Sequence, residues 1–215
     1  MNTPTSDTPF SVRLSKAHLL IAYFSGTFSF SYAVMITFIV SLRARELGAS
    51  LPQVGILVGA ASLVAAFSSI PAGALTQRIG AHRVYYLGTL ICVGFTALLG
   101  FTTAYWAILV LQVILGSART ASWVASQTYI TGVGSPEERV VITGRFSFAT
   151  NVGTMIFPLI MGFSADMMGF QNSIFLIAGI SAIYTLAGLS LPAVFIKQPD
   201  HEPNNSAALG FGAAF

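Results

Sequence analysis

Arg119 lies near the middle of an apolar run over about 105–132. There, insertion of an arginine into a bilayer costs about 2.5 to 3.5 kcal/mol. Trp123 follows one helical turn later, and Ser126 and Gln127 a turn after that, so a helix through this run puts a cation, an aromatic face and an amide on one stripe. Such a stripe can bind an amphipathic organic anion. No Asp or Glu stands in the interior of any apolar run to neutralise the guanidinium, since Asp166, Glu137 and Glu138 fall at segment ends. The balancing charge must come from a solute, a second protein, lipid headgroups or backbone carbonyls. A structural arginine held by carbonyls and Ser or Thr hydroxyls, with Trp123 packed on a neighbour and Gln127 bonded across helices, uses the same residues. The sequence leaves both readings open.

Other chemistry is sparse. A run near the start carries Ser25, Thr27, Ser29, Ser31, Tyr32 and Thr37 among phenylalanines. Asn151 is buried by its position in a later run and is expected to reach a solute or another helix. His18, His82 and His201 have no metal-binding spacing and are expected at the interface or in solvent. Cys92 is alone, which excludes a disulfide within the chain and a cysteine metal site. With no nucleophile–base set, paired catalytic carboxylates or phosphate loop, the chain reads as a non-enzyme without cofactor or metal. An intramembrane enzyme is the weakest of the function classes.

The elements that position these residues follow from composition. Charged residues are 8% of the chain and hydrophobic ones 54%, against about 25% charged in soluble domains. The protein is therefore an all-α integral membrane protein, with the lipid bilayer as its medium. A net charge of +3, scattered along the chain, gives no nucleic-acid patch. Apolar runs near the spanning length predict six helices, at about 17–42, 52–76, 83–103, 105–132, 142–168 and 172–195, between an N-terminal tail, 1–16, and a polar tail, 196–215. The run from Leu19 to Leu42 is too long for a signal-peptide core and is expected to stay as a helix. Arg13, Lys16, Arg78, Arg83, Arg139, Arg145 and Lys197 fall on one side of these spans and only Arg43 and Arg45 on the other. Both termini are therefore expected in the cytoplasm. Tyr85 and Tyr86, and Tyr105 and Trp106, are expected at opposite interfaces.

One pattern occurs twice. Gly73, Gln77 and Gly80, followed by Arg78, His82 and Arg83, recur in skeleton as Gly162, Asp166 and Gly169, each where an apolar run ends. Ser50-Leu-Pro-Gln53 and Ser135-Pro-Glu-Glu138 open the second and fifth runs as N-caps with a Gln or Glu three residues on. Units at about 17–103 and 105–195 then form an inverted three-plus-three repeat, because an odd number of helices separates equivalent spans.

On these residues the chain resembles the major facilitator superfamily, specifically the N-terminal six-helix half of its members, from about Lys16 to Lys197. The stretch at Gly73, Arg78, Gly80 and, loosely, His82 and Arg83 is similar to the family's loop between helices two and three, with Gln77 where the family has an aspartate. The resemblance implies that this loop latches the half against a second half, more weakly without the acid. Gly153, Pro158 and Gly162 are similar to a fifth-helix motif of the family's antiporters with two glycines missing, and imply a bent, closely packed helix rather than antiport. Helices one and four line the family's cavity, which makes Tyr32 the candidate ligand on the first helix beside Arg119, Trp123, Gln127 and Asn151. The family implies a secondary transporter in a bacterial inner or plasma membrane that works by alternating access, and the Arg119 stripe makes its expected solute small and anionic or amphipathic. Gln198-Pro-Asp-His-Glu-Pro is similar to the start of an interdomain linker. Transport is thus expected to need a second six-helix half, from another chain or another copy. Without membrane-interior acids, proton coupling would need a carrier in that half. A non-transporting membrane scaffold of the same fold is the alternative.

Overall fold

A computed structural model describes residues 15–190; the expected tails fall outside the described residues, apart from Ser15 and Lys16. The described residues are almost wholly helical: α1 (Lys16–Glu46), α2 (Leu51–Ile79), α3 (Ala81–Phe101), α4 (Tyr105–Thr131) and α5 (Pro136–Leu189). All five are long and apolar enough to cross a membrane.

The starts are set by local hydrogen bonding. The Ser50 backbone N–H donates to Gln53 Oε1 at 2.7 Å while the Gln53 N–H reaches Ser50 Oγ at 3.4 Å. Ser135 and Glu138 repeat this exchange at 2.9 and 3.3 Å. In each case two donors that a helix start leaves unpaired find acceptors, and a proline occupies one of the first two helical positions, where no N–H is needed.

The ends differ from the expected loops. The stretch from Gly73 is helical as far as Ile79, and only Gly80 departs, with φ 91° and ψ 145°, before α3 begins. Gly162 to Met168 is likewise helical, and Gly169 alone breaks α5, with φ 81° and ψ 162°. A single glycine suffices because its backbone reaches a positive-φ region closed to residues with a Cβ, so no loop is required. A straight helix of 54 residues would run about 80 Å, far beyond the roughly 30 Å of a bilayer core. It does not run straight. Ser164 Oγ and Ser173 Oγ, nine positions apart, lie 3.0 Å from each other, so the limbs 136–168 and 170–189 fold back on one another.

α1 packs chiefly on α5, α2 on α4, and α3 on both α4 and α5. Glycines allow the closest approaches. A Cβ on Gly116 of α4 would come within 2.7 Å of the Ala61 carbonyl of α2, and one on Gly153 of α5 within 2.6 Å of Ser31 Oγ on α1. Phe28 meets Phe157 and Tyr184, each at 4.9 Å between ring centres, and these rings bring both limbs of α5 onto α1. α2 buries only Leu57, Ala61, Ala72 and Thr76 and turns Leu63, Phe67 and Ile70 outward. The residues expected in the aromatic belt differ in burial. Trp106 is exposed, but Tyr85 is buried and donates to the Ser25 carbonyl at 3.2 Å.

Candidate solute-binding site

Arg119, on α4, is half-buried against α1. Its Nη1 donates to Thr37 Oγ1 at 3.1 Å and, at the long distance of 3.5 Å, to the Ala33 carbonyl. A guanidinium carries five N–H donors in a rigid fork. Among the described residues Nε and Nη2 have no hydrogen-bond partner, and neither is sealed inside the protein. The ion pair of Arg43 with Glu46 lies at the far end of α1 and does not involve Arg119. One edge of the fork is therefore anchored to α1 and the other is open to an acceptor. An oxyanion bound there would gain charge-assisted hydrogen bonds in surroundings that screen charge poorly.

The rest of the stripe behaves unevenly. Trp123 stands one turn along, but its ring lies between Phe30 at 4.3 Å and Phe146 at 5.9 Å, the latter nearly parallel at 18°. Tyr23 extends the stack to Phe146 at 6.4 Å and ties it to α5 by donating to the Ile142 carbonyl. Packing on α1 and α5 thus occupies much of the indole, and it forms one wall beside the arginine. Gln127 is half-buried, and its side chain makes no hydrogen bond to another described residue.

Two expected ligands lie elsewhere. Tyr32 is 1% exposed and its hydroxyl bonds Thr96 Oγ1 on α3, so it faces the inside of the bundle, away from any open space. Asn151, expected to be buried, is exposed, and its Nδ2 donates to the Ser147 carbonyl one turn back in its own helix. Its position in the middle of an apolar run did not reveal which way that face of the helix turns. The residues missed as arginine partners are Thr37 and the Ala33 carbonyl. Thr37 was visible as one of several hydroxyls on the first run, but nothing singled it out.

The glycine motifs sit at the two ends of the bundle's helices. Gln77, Arg78 and Arg83 are exposed, as is Asp166. Pro158 lies inside the first limb of α5, with Gly153 before it at the crossing with α1. Gly162 has open space where a Cβ would stand. His82 is half-buried, with Nε2 sealed from the surface. Among the described residues no group of three or more His, Cys, Asp or Glu side chains forms a metal site.

Apolar helices of spanning length, packed with a half-buried arginine between two of them, define a multi-pass membrane protein. The sequence model of the Major Facilitator Superfamily matches residues 19–213, nearly the whole chain. The chain belongs to that superfamily. It is similar to a probable galactarate/D-glucarate transporter of Escherichia coli, 26% identical over 195 residues that make up 86% of this chain and 42% of that protein. It is also similar to an uncharacterized MFS-type transporter of Methanocaldococcus jannaschii, 25% identical over 133 residues, 62% of this chain and 34% of that one. The chain thus spans less than half the length of each of these relatives.

Proposed function

We propose that this chain forms a six-crossing half of a secondary transporter that moves a small organic anion, with Arg119 as the group that binds the anion. The observation that carries the proposal is the arginine's divided hydrogen bonding: Nη1 is held by Thr37 and Ala33, while Nε and Nη2 are left open. A purely structural arginine would spend its donors on protein acceptors, because each unpaired donor in an apolar medium is costly. The E. coli relative's name specifies galactarate and D-glucarate, both sugar dicarboxylates, and a carboxylate fits an open guanidinium edge. Gln127 and the exposed edge of Trp123 would contact the rest of the solute. Asn151, exposed on the first limb of α5, is retained as a solute contact only if a second half brings the solute to that face. Tyr32 acts by packing.

The six crossings rest on the reversal at Gly169. The inverted repeat is supported by the paired devices of α1–α3 and α4–α5: a capping box, an internal proline at Pro71 or Pro158, and a positive-φ glycine. It is supported too by the packing, because exchanging α1 with α4 and α2 with the first limb of α5 maps the α4–α2 contact onto the α1–α5 contact. A second six-helix half has a natural seat on α2, where Gly55, Gly59 and Gly73 all face open space and would let another helix approach closely. The bilayer is that of a bacterial inner or plasma membrane, with both termini in the cytoplasm. Gln77, Arg78 and Arg83 then lie on the inner side, and Asp166 on the outer.

The test is uptake of labelled dicarboxylates into proteoliposomes containing this chain and its second half. R119A is expected to reduce uptake by about 10- to 100-fold, in line with about 1.5–3 kcal/mol for a hydrogen bond to a charged group. R119K, which keeps the charge but loses the fork, is expected to fall between. Uptake unchanged in R119A, with normal membrane assembly, would rule out the anion role. A stable complex that moves no solute would favour the scaffold reading.

A further inference from the structure

Arg145, on the first limb of α5, is exposed, and no hydrogen bond holds its guanidinium to another described residue. It lines a cavity of about 550 Å³ between the start of α1, at Leu19, and the first turns of α5, with Glu137, Glu138 and Ile142 on the same wall. A cavity of this size is in the range that takes small solutes. The two acids stand at its outer rim, on the first turn of α5, where Glu138 Oε2 accepts the Ser135 N–H and the helix start offsets negative charge. Arg145 comes two turns further in, about 10 Å along the axis, and is the group there that can hold a carboxylate. Tyr23 donates to the carbonyl of Ile142, and the charge of Arg145 acts on its phenol. Phe146, next in the chain, is buried and joins Tyr23 to Trp123, which meets Phe30 in turn. Tyr23, Trp123 and Phe30 are only half-buried. One aromatic wall thus runs from Arg145 to Phe30, a single turn before Ala33, where α1 anchors Arg119.

We infer that Arg145 is a second station for the solute's carboxylate, on the inner side of Arg119, and that the solute passes between the two arginines along the aromatic wall. The inference rests on Arg119 as the anion-binding group. Tyr23 and Ala33 are separated by about 15 Å of helix, and the Tyr23 side chain leans toward the start of α1, away from Ala33. A six-carbon dicarboxylate, with five bonds of about 1.5 Å, spans less than about 8 Å. One molecule therefore cannot rest on both arginines, and the stations are filled in turn. Aromatic faces between them offer contact area without a ring of fixed hydrogen-bond partners to hold the solute midway. The acids at the rim disfavour an anion resting there, so Arg145 marks the last hold before water.

The test uses this chain with its second half in phosphatidylcholine proteoliposomes of known orientation, the half-saturating concentration of labelled D-glucarate being read from each side. R145Q is expected to raise the inner-side value about 10-fold, as loss of a hydrogen bond to a charged group would, and to leave the outer-side value within about twofold. R145K should fall between, and R119A should raise both values. An inner-side value unchanged in R145Q, with R119A still effective, overturns the second station and leaves the Arg119 reading standing. Equal rises on both sides in R145Q overturn it too, because the arginine would then act on the bundle as a whole. R119A without effect, or no uptake by the unmodified protein, ends the Arg119 reading and the hand-over with it. An R145Q effect that appears only when anionic phosphatidylglycerol is added assigns Arg145 to lipid headgroups and likewise overturns the proposal.

Discussion

Gly80 and Gly169 turn the chain with nearly the same backbone geometry, φ 91° and ψ 145° against φ 81° and ψ 162°, but their surroundings differ. Across Gly169 the two limbs of α5 are fastened by the bond between Ser164 and Ser173, and Ser173 also donates to the Gly169 carbonyl at 2.9 Å. Across Gly80 no side-chain hydrogen bond joins α2 to α3 among the described residues. Gln77, Arg78 and Arg83 are exposed there, and His82 alone dips inward. Asp166, Gln171 and Asn172 are exposed beside Gly169 as well, so the corners differ in whether a side-chain hydrogen bond crosses them. The same backbone device therefore serves two purposes: a fastened hinge within the bundle at Gly169, and at Gly80 an unfastened corner with its polar rim free to meet something outside it.

The comparison fails most visibly if the two glycines are not equivalent. G80A and G169A are each expected to destabilise the bundle by about 2 kcal/mol, because both place a Cβ in a region that is almost exclusively glycine's. Reversible unfolding in mixed micelles measures this. At Gly169 nothing lies within 4 Å of where the Cβ would stand, so the loss there reports backbone strain alone, and an unaffected G169A would break the equivalence. A smaller effect separates the corners. S164A should cost about 1 kcal/mol, the net worth of one hydrogen bond, and should increase hydrogen exchange around Gly169 without changing it around Gly80. The smallest effect sharpens the idea of a free rim. Q77D restores an acid at an exposed position and should change the stability of the chain alone by no more than about 0.5 kcal/mol. A larger change would mean that Gln77 is already engaged within the bundle.

Much of the framework was legible in the residues. Ser50 with Gln53 and Ser135 with Glu138 announced helix starts because capping depends on residue types only three apart. The glycine spacing marked both corners because positive φ is a local demand. The arginine stood out because a charge in an apolar run is costly wherever it points. The gaps share a different origin. Asn151, expected in the interior, is exposed, and nothing in the sequence marked that Tyr85 and His82, near the start of α3, turn inward. Each concerns the rotation of a helix about its axis. In a soluble protein a polar stripe reveals that rotation, but a helix that meets protein on one side and lipid on the other is apolar on both, and the stripe fades.

From its sequence alone, then, this chain determined that it is a bundle of apolar helices, where those helices begin and turn, and that an unneutralised arginine lies among them. Caps, turns and the cost of burying charge are properties of short segments. Only the tertiary structure decided that Thr37 and Ala33 take one edge of Arg119 and leave the other open, and that Phe30 and Phe146 pack against Trp123. Those outcomes depend on which faces of distant segments meet, and packing between helices sets that.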